Sequence, residues 1–202
     1  MSLFASAHDR VHGRRVEVLA TRLAALLPPK ARVLDVGAGD GRLASVISRK
    51  RPDVTIEGID VFVRPDTKIP VTKFDGLKIP FPDRAFDVVM LVDVVHHSED
   101  PVTLLRESAR VTGQRLLIKD HNRDGFLADT TLRIMDWVGN ARHGVDLPYH
   151  FWPKRRWDEV FRDLGLGVRD YAAELHLYPG PADLVFGRGL HFIASLAPSL
   201  RP

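Results

Sequence analysis

The chain has 202 residues, of which 45% are hydrophobic, with no cysteine and a formal charge of +3. That length builds one well-buried core rather than two, and the lack of cysteine excludes disulfides, thiolate metal sites and a cysteine nucleophile. So mild a charge supports only non-specific association, and no nucleic-acid partner is expected.

The first fifteen residues include His8, Asp9, Arg10, His12, Arg14 and Arg15. They are too polar for the apolar part of a secretory signal, and no eighteen-residue apolar run follows. A cytoplasmic protein without a membrane span is therefore expected. Val16, Leu19, Leu23 and Leu26 recur at helical spacing in Val11–Leu27, which ends at Pro28-Pro29. Val33–Val36 is a short apolar run, as in a buried parallel strand, and a strand is expected over 33–37. Gly37, Gly39 and Gly41 stand at alternate positions, and a helical pattern resumes over 41–50. A strand, a glycine turn and a helix make the opening of a nucleotide-type site.

A second strand over 54–60 ends in Asp60. A carboxylate there accepts hydrogen bonds from both hydroxyls of a ribose. A short strand near 71–75, a strand over 86–92, a helix over 101–111 and a fifth strand over 115–120 follow. Alternating strands and helices predict a parallel sheet covered on both faces. Leu127, Thr131, Ile134, Met135 and Val138 mark a further helix, broken at Gly139–Gly144. A helix over 154–164 precedes strands 167–175 and 190–196, with a long turn over 178–188. Lys154-Arg155-Arg156, beside Trp152 and Trp157, reads as a solvated helix start with its aromatics in the core.

Asp35-Val36-Gly37-Ala38-Gly39-Asp40-Gly41 carries the pattern D-x-G-x-G-x-G, with Arg42 where the dinucleotide fingerprint has its third glycine. It resembles the first motif of class I S-adenosylmethionine (SAM) methyltransferases. Phe74–Asp83 followed by Phe86–Met90 resembles the D-G-x-x-L-P-F-x-D-x-x-F-D-V-V run of the small-molecule branch, often called type 11 methyltransferases. Asp93-Val94-Val95-His96-His97 is similar to its segment after the fourth strand. The resemblance spans about residues 30–120, with the motifs in the family's order.

The resemblance implies an α/β, Rossmann-like sheet of seven mostly parallel strands, helices on both faces and the last strand antiparallel. It implies one methyltransferase domain over 1–202, with an N-terminal helix within 1–30 and a substrate cover at 123–150. SAM is the implied cofactor, held by Asp35, Gly37, Ala38, Gly39, Gly41, Asp60, Val61, Asp75, Gly76 and Val92, with Asp75 on the adenine amino group. Arg14 is the candidate cation for the methionine tail. The implied reaction is direct in-line methyl transfer to a small organic or amphipathic metabolite. His97 and His121, after the fourth and fifth strands, are candidate general bases. Asp93, Trp137, His143 and Tyr149 are candidate substrate residues. Asp93, Asp120 and Asn122 are of the residue types that hold Mg²⁺ in catechol-type methyltransferases. Their order differs, however, and Lys119 lies beside them, so no metal is expected.

The composition narrows the acceptor. Without cysteine there is no cytosine C5 methylation through a covalent adduct, and Leu91-Val92-Asp93-Val94 lacks the Asn/Asp-Pro-Pro-aromatic motif for exocyclic base amines. Two other readings are a nicotinamide-binding oxidoreductase, which Arg42 disfavours, and a non-catalytic SAM-fold binding protein.

Overall fold

Apolar residues alternate along the strands and so build a core on each face of one sheet. In β4 (Phe86–Val92), Val89 and Leu91 join Leu34, Leu116 and Phe192 on one side. Val88 and Met90 join Val33, Leu117 and Ile193 on the other. Strands buried on both faces read as continuous apolar runs. The structure, a computed structural model, describes residues 3–140 and 149–198, with side chains over 12–138 and 149–198.

The remaining elements are α1 (Leu3–Leu26), β1 (Arg32–Val36), α2 (Arg42–Lys50), β2 (Thr55–Asp60), β3 (Val71–Lys73), α3 (Pro101–Val111), β5 (Thr112–His121), α4 (Ala128–Asn140), α5 (Lys154–Asp163), β6 (Leu166–Ala172), α6 (Pro181–Phe186) and β7 (His191–Pro198). The strand order is β3-β2-β1-β4-β5-β7-β6. The first five strands pair in parallel, and β7 runs antiparallel between β5 and β6. This is the expected Rossmann-like sheet with its last strand reversed.

Helices α1 and α2 cover one face through Leu19, Leu23, Ala44 and Ile47, while α3 and α5 cover the other through Leu104, Leu105, Trp157 and Phe161. Arg51 closes α1 by donating to the carbonyls of Ala24, Leu27 and Pro28, the groups a helix end leaves unpaired. Asp100 caps α3 by accepting from the Thr103 amide, with Pro101 in the first turn. Trp157 is in the core, and Lys154 is paired with Asp158.

Five expectations need correction. α1 starts at Leu3 rather than Val11, because the polar run His8–Arg15 hides its first turns from apolar periodicity. β5 starts at Thr112, directly after α3 and opposite Phe86. The long turn 178–188 contains α6, six residues opened by Gly180-Pro181. Leu127 precedes α4 and is exposed, as are Ile134 and Val138 within it, and the inward stripe is Ala128, Leu132 and Asp136. α4 also runs through Gly139 to Asn140, while the rest of the expected break, 141–144, lies outside the described residues.

Candidate active site

Gly37, Gly39 and Gly41 have φ of 74°, 59° and 72°, which turn the chain sharply from β1 into α2. Gly37 is also a contact point. A Cβ there would lie 2.5 Å from Val94 Cγ2, in the segment after β4. Asp60, at the end of β2, accepts from the Gly39 amide at 2.7 Å and the Phe62 amide at 2.9 Å. Its carboxylate thus shapes the glycine loop and still has lone pairs to offer. Asp75 accepts from the Leu77 and Lys78 amides through one oxygen, leaving the other exposed to solvent. Val61 is exposed beside Gly76, whose added Cβ would lie 3.1 Å from it.

A cavity of about 170 Å³ lies between α1 and the glycine loop. Asp35, Gly37, Ala38, Val92, Asp93 and Arg15 are among its walls. Arg15, not Arg14, is the cation here. Arg15 donates to Asp93 at 2.5 Å, whereas exposed Arg14 reaches only the His176 carbonyl at 3.4 Å. Adjacent helical residues point about 100° apart, so only one of the two can face the cavity. Asp93, at φ 57°, also accepts from Lys119. Burial opposes the Asp93 charge, but Arg15 and Lys119 outweigh it and hold the carboxyl well below its usual range. Burial lowers Lys119 to about 8 against the pull of Asp93.

Burial, aided by the nearby Asp60 charge, raises Asp35 to about 8. The folded state therefore holds a proton that the unfolded state releases from the ordinary carboxylate range upward. Stability is greatest below that range and falls as pH rises to about 8. The denaturation midpoint of the ligand-free protein is expected to decline over this window, and Asp35→Asn to flatten the decline. An equal decline in the variant places the proton on another group.

The second cluster lies at the ends of β4 and β5, under α4. The 3-10 turn Val95–His97 carries His96 inward, where Nδ1 donates to Asp120 at 2.7 Å. Asp120 is fully buried and also accepts from the Val95 and His121 amides. Burial opposes the charge on His96, but Asp120 and Asp136 raise it to about 9. His97 is 19% exposed, with Nε2 3.3 Å from Asp136. His121 is buried, its ring 4.7 Å from that of His96 and 4.8 Å from that of His191. Burial and Lys119 lower His121 to about 4. His191 opens β7 and reaches this end of the sheet only because β7 runs antiparallel to β5.

The structure thus brings Asp35, Gly37, Ala38, Val92 and Asp93 to one cavity, with Gly39 and Asp60 joined beside it. His97 and His121 each pack against His96 in the second cluster. Of the substrate candidates on the cover, Trp137 is 60% exposed while its neighbour Asp136 turns to the histidines. The Tyr149 ring lies under Arg133, and His143 is outside the described residues. Asp93 and Asp120 lie on opposite ring nitrogens of His121, while Asn122 donates to the Tyr171 hydroxyl. Sequence reasoning missed Arg15, His96, Asp136 and His191. The spacing Ala128–Leu132–Asp136 was the available signal for Asp136.

A family profile described as a methyltransferase domain matches residues 8–171. The chain belongs to that methyltransferase family. The domain is of the class I SAM-dependent kind, a family whose cofactor is SAM. The chain is 32% identical to 27-O-demethylrifamycin SV methyltransferase of Amycolatopsis mediterranei, over 50% of this chain and 43% of that one. It is 28% identical to 2-methyl-6-phytyl-1,4-hydroquinone methyltransferase of Synechocystis sp., over 63% and 38%. It therefore spans less than half the length of these two relatives. The structure of a SAM-dependent methyltransferase from Aquifex aeolicus shares the fold, with a TM-score of 0.57, 18% identity and coverage of 85% of this chain and 84% of that one. No comparison supports the nicotinamide reading.

Proposed function

We propose that the methyltransferase acts on a small organic or amphipathic acceptor held between the ends of β4 and β5 and the cover α4. The carrying observation is the Gly37–Val94 contact, which sets the cofactor loop against the turn that presents His96 and His97. The names of the rifamycin and hydroquinone relatives support an organic acceptor.

When bound, SAM supplies a methyl group on a sulfonium, and transfer leaves the sulfur with the bond's electron pair. In this reading Asp60 accepts from the ribose hydroxyls, and Asp75 with Gly76 and Val61 takes the adenine. Arg15 offers a positive charge to the carboxylate of an amino-acid tail, and Asp35, protonated in the ligand-free protein, gives up that proton when the tail's ammonium sits beside it. His97 orients the acceptor, and its proton leaves toward the histidine–carboxylate cluster. Such alignment of the reacting atoms is the main task in an in-line displacement.

Arg15→Met is expected to weaken SAM binding about 10–100-fold, the effect of losing a hydrogen bond to a charged group. Arg14→Met should leave it unchanged. Calorimetric titration decides, and equal effects of the two would remove Arg15 from the cofactor site. The acceptor reading is tested by incubating protein and SAM with phenols, hydroquinones, macrolides and amines, then measuring single-methyl mass shifts. Methylation of a protein or RNA with none of the small acceptors modified would overturn it.

A further inference from the structure

Beneath α4, Nε2 of His96 and Nε2 of His97 face the same oxygen, Oδ1 of Asp136, at 3.8 and 3.3 Å. The three donor atoms lie within 4.8 Å of one another. Donors about 2.0–2.1 Å from a tetrahedral Zn²⁺ stand about 3.3 Å apart, so this set is near the spacing of a shared ion. The turn Val95–His97 produces the convergence by placing the two rings 4.1 Å apart.

The support behind His96 is an independent observation. Its Nδ1–H is donated to Asp120, so when a metal ion displaces the second ring proton the lone pair left behind is the one on Nε2, toward His97 and Asp136. Asp120 is held in turn by the Val95 and His121 amides. A buried carboxylate that orients an imidazole in this way is the usual outer support of a metal-binding histidine.

We propose that His96, His97 and Asp136 bind one first-row divalent cation of the zinc type, with Asp120 as the group that positions His96. Two imidazoles and one carboxylate suit such an ion rather than Mg²⁺ or Ca²⁺, which take oxygen ligands. Three protein ligands leave a position for water or an acceptor oxygen. This departs from the expectation of no metal, which weighed only Asp93, Asp120 and Asn122. Lys119, which counted against a cation there, is bonded to Asp93.

The use of the ion rests on the acceptor reading above, whereas its binding does not. With His96 and His97 engaged as ligands, the ion would lower the pKa of an acceptor hydroxyl, whose proton would go to water instead of the histidines while the electron pair stayed on oxygen for attack on the methyl group.

The test is calorimetric titration of ZnCl₂ into the chelator-treated full chain, with Co²⁺ absorption as a second readout. One Zn²⁺ per chain is expected, without competition from excess Mg²⁺. His97→Asn and Asp136→Asn should each weaken Zn²⁺ at least about tenfold, and Asp120→Asn about 10–100-fold. His176→Asn, at an exposed histidine paired with Asp183, should change nothing. SAM affinity, measured on the same samples, should stay within a few-fold and so report that the variants are folded. Absence of Zn²⁺ binding in protein that binds SAM overturns the metal proposal alone. So does Zn²⁺ binding that survives both His97→Asn and Asp136→Asn. A protein that binds Zn²⁺ but not SAM overturns the cofactor assignment instead.

Discussion

Asp60→Ala is expected to weaken SAM binding by at least about 100-fold. Two charge-assisted hydrogen bonds to the ribose are lost, each contributing about 1.5–3 kcal/mol, and 1.4 kcal/mol is a factor of ten. The loop suffers as well, because Asp60 also holds the Gly39 and Phe62 amides. Asp60→Asn keeps an acceptor for one of these groups and should lose less. Calorimetry on protein of unchanged circular dichroism is the check. Wild-type affinity in a folded Asp60→Ala protein would take Asp60 out of the cofactor site.

The second large effect is on turnover. His97→Gln should lower the single-turnover rate by about 10²–10⁴-fold, the usual contribution of a group that assists proton removal. SAM affinity should hardly move, since His97 does not line the cavity beside the glycine loop. The loss is expected whether the acceptor's proton passes to His97 or leaves under the influence of a bound cation. His121→Gln should cost less, because His121 stands behind His96 and only 7% of it is exposed. Near wild-type rates in His97→Gln would leave alignment as the whole mechanism.

The glycine-loop half of the candidate site was legible because each of its parts has a local signature. Val33–Val36 is a continuous apolar run, the three glycines require positive φ, and Asp60 and Asp75 close short strand patterns. The acceptor half was less so, for reasons of angle. Arg14 and Arg15 differ by one helical step, and only the three-dimensional contact with Asp93 separates them. His96 and His97 differ by one step of a 3-10 turn, about 120°, so one ring is buried and the other is partly open. In α4 the inward stripe contains a carboxylate and the outward face contains Ile134 and Val138. Hydrophobic periodicity therefore pointed to the wrong face, and a charged inward position was passed over for the aromatic beside it. α6 escaped because six residues are too few to show a period.

The place of β7 inside the sheet bears on how the protein comes off the ribosome. Among the described residues β6 pairs only with β7, and the outer edge of β5 is covered only by β7. Until residues 191–198 have been synthesised, a nascent chain with β1–β5 assembled presents β5 as an open ladder of unpaired amides and carbonyls. That edge carries Leu116, Leu117 and Ile118, side chains that the finished fold buries completely. Such an edge invites strand addition from another chain. Ribosome-stalled chains ending before His191 should therefore aggregate or recruit chaperones, and chains extended past β7 should not.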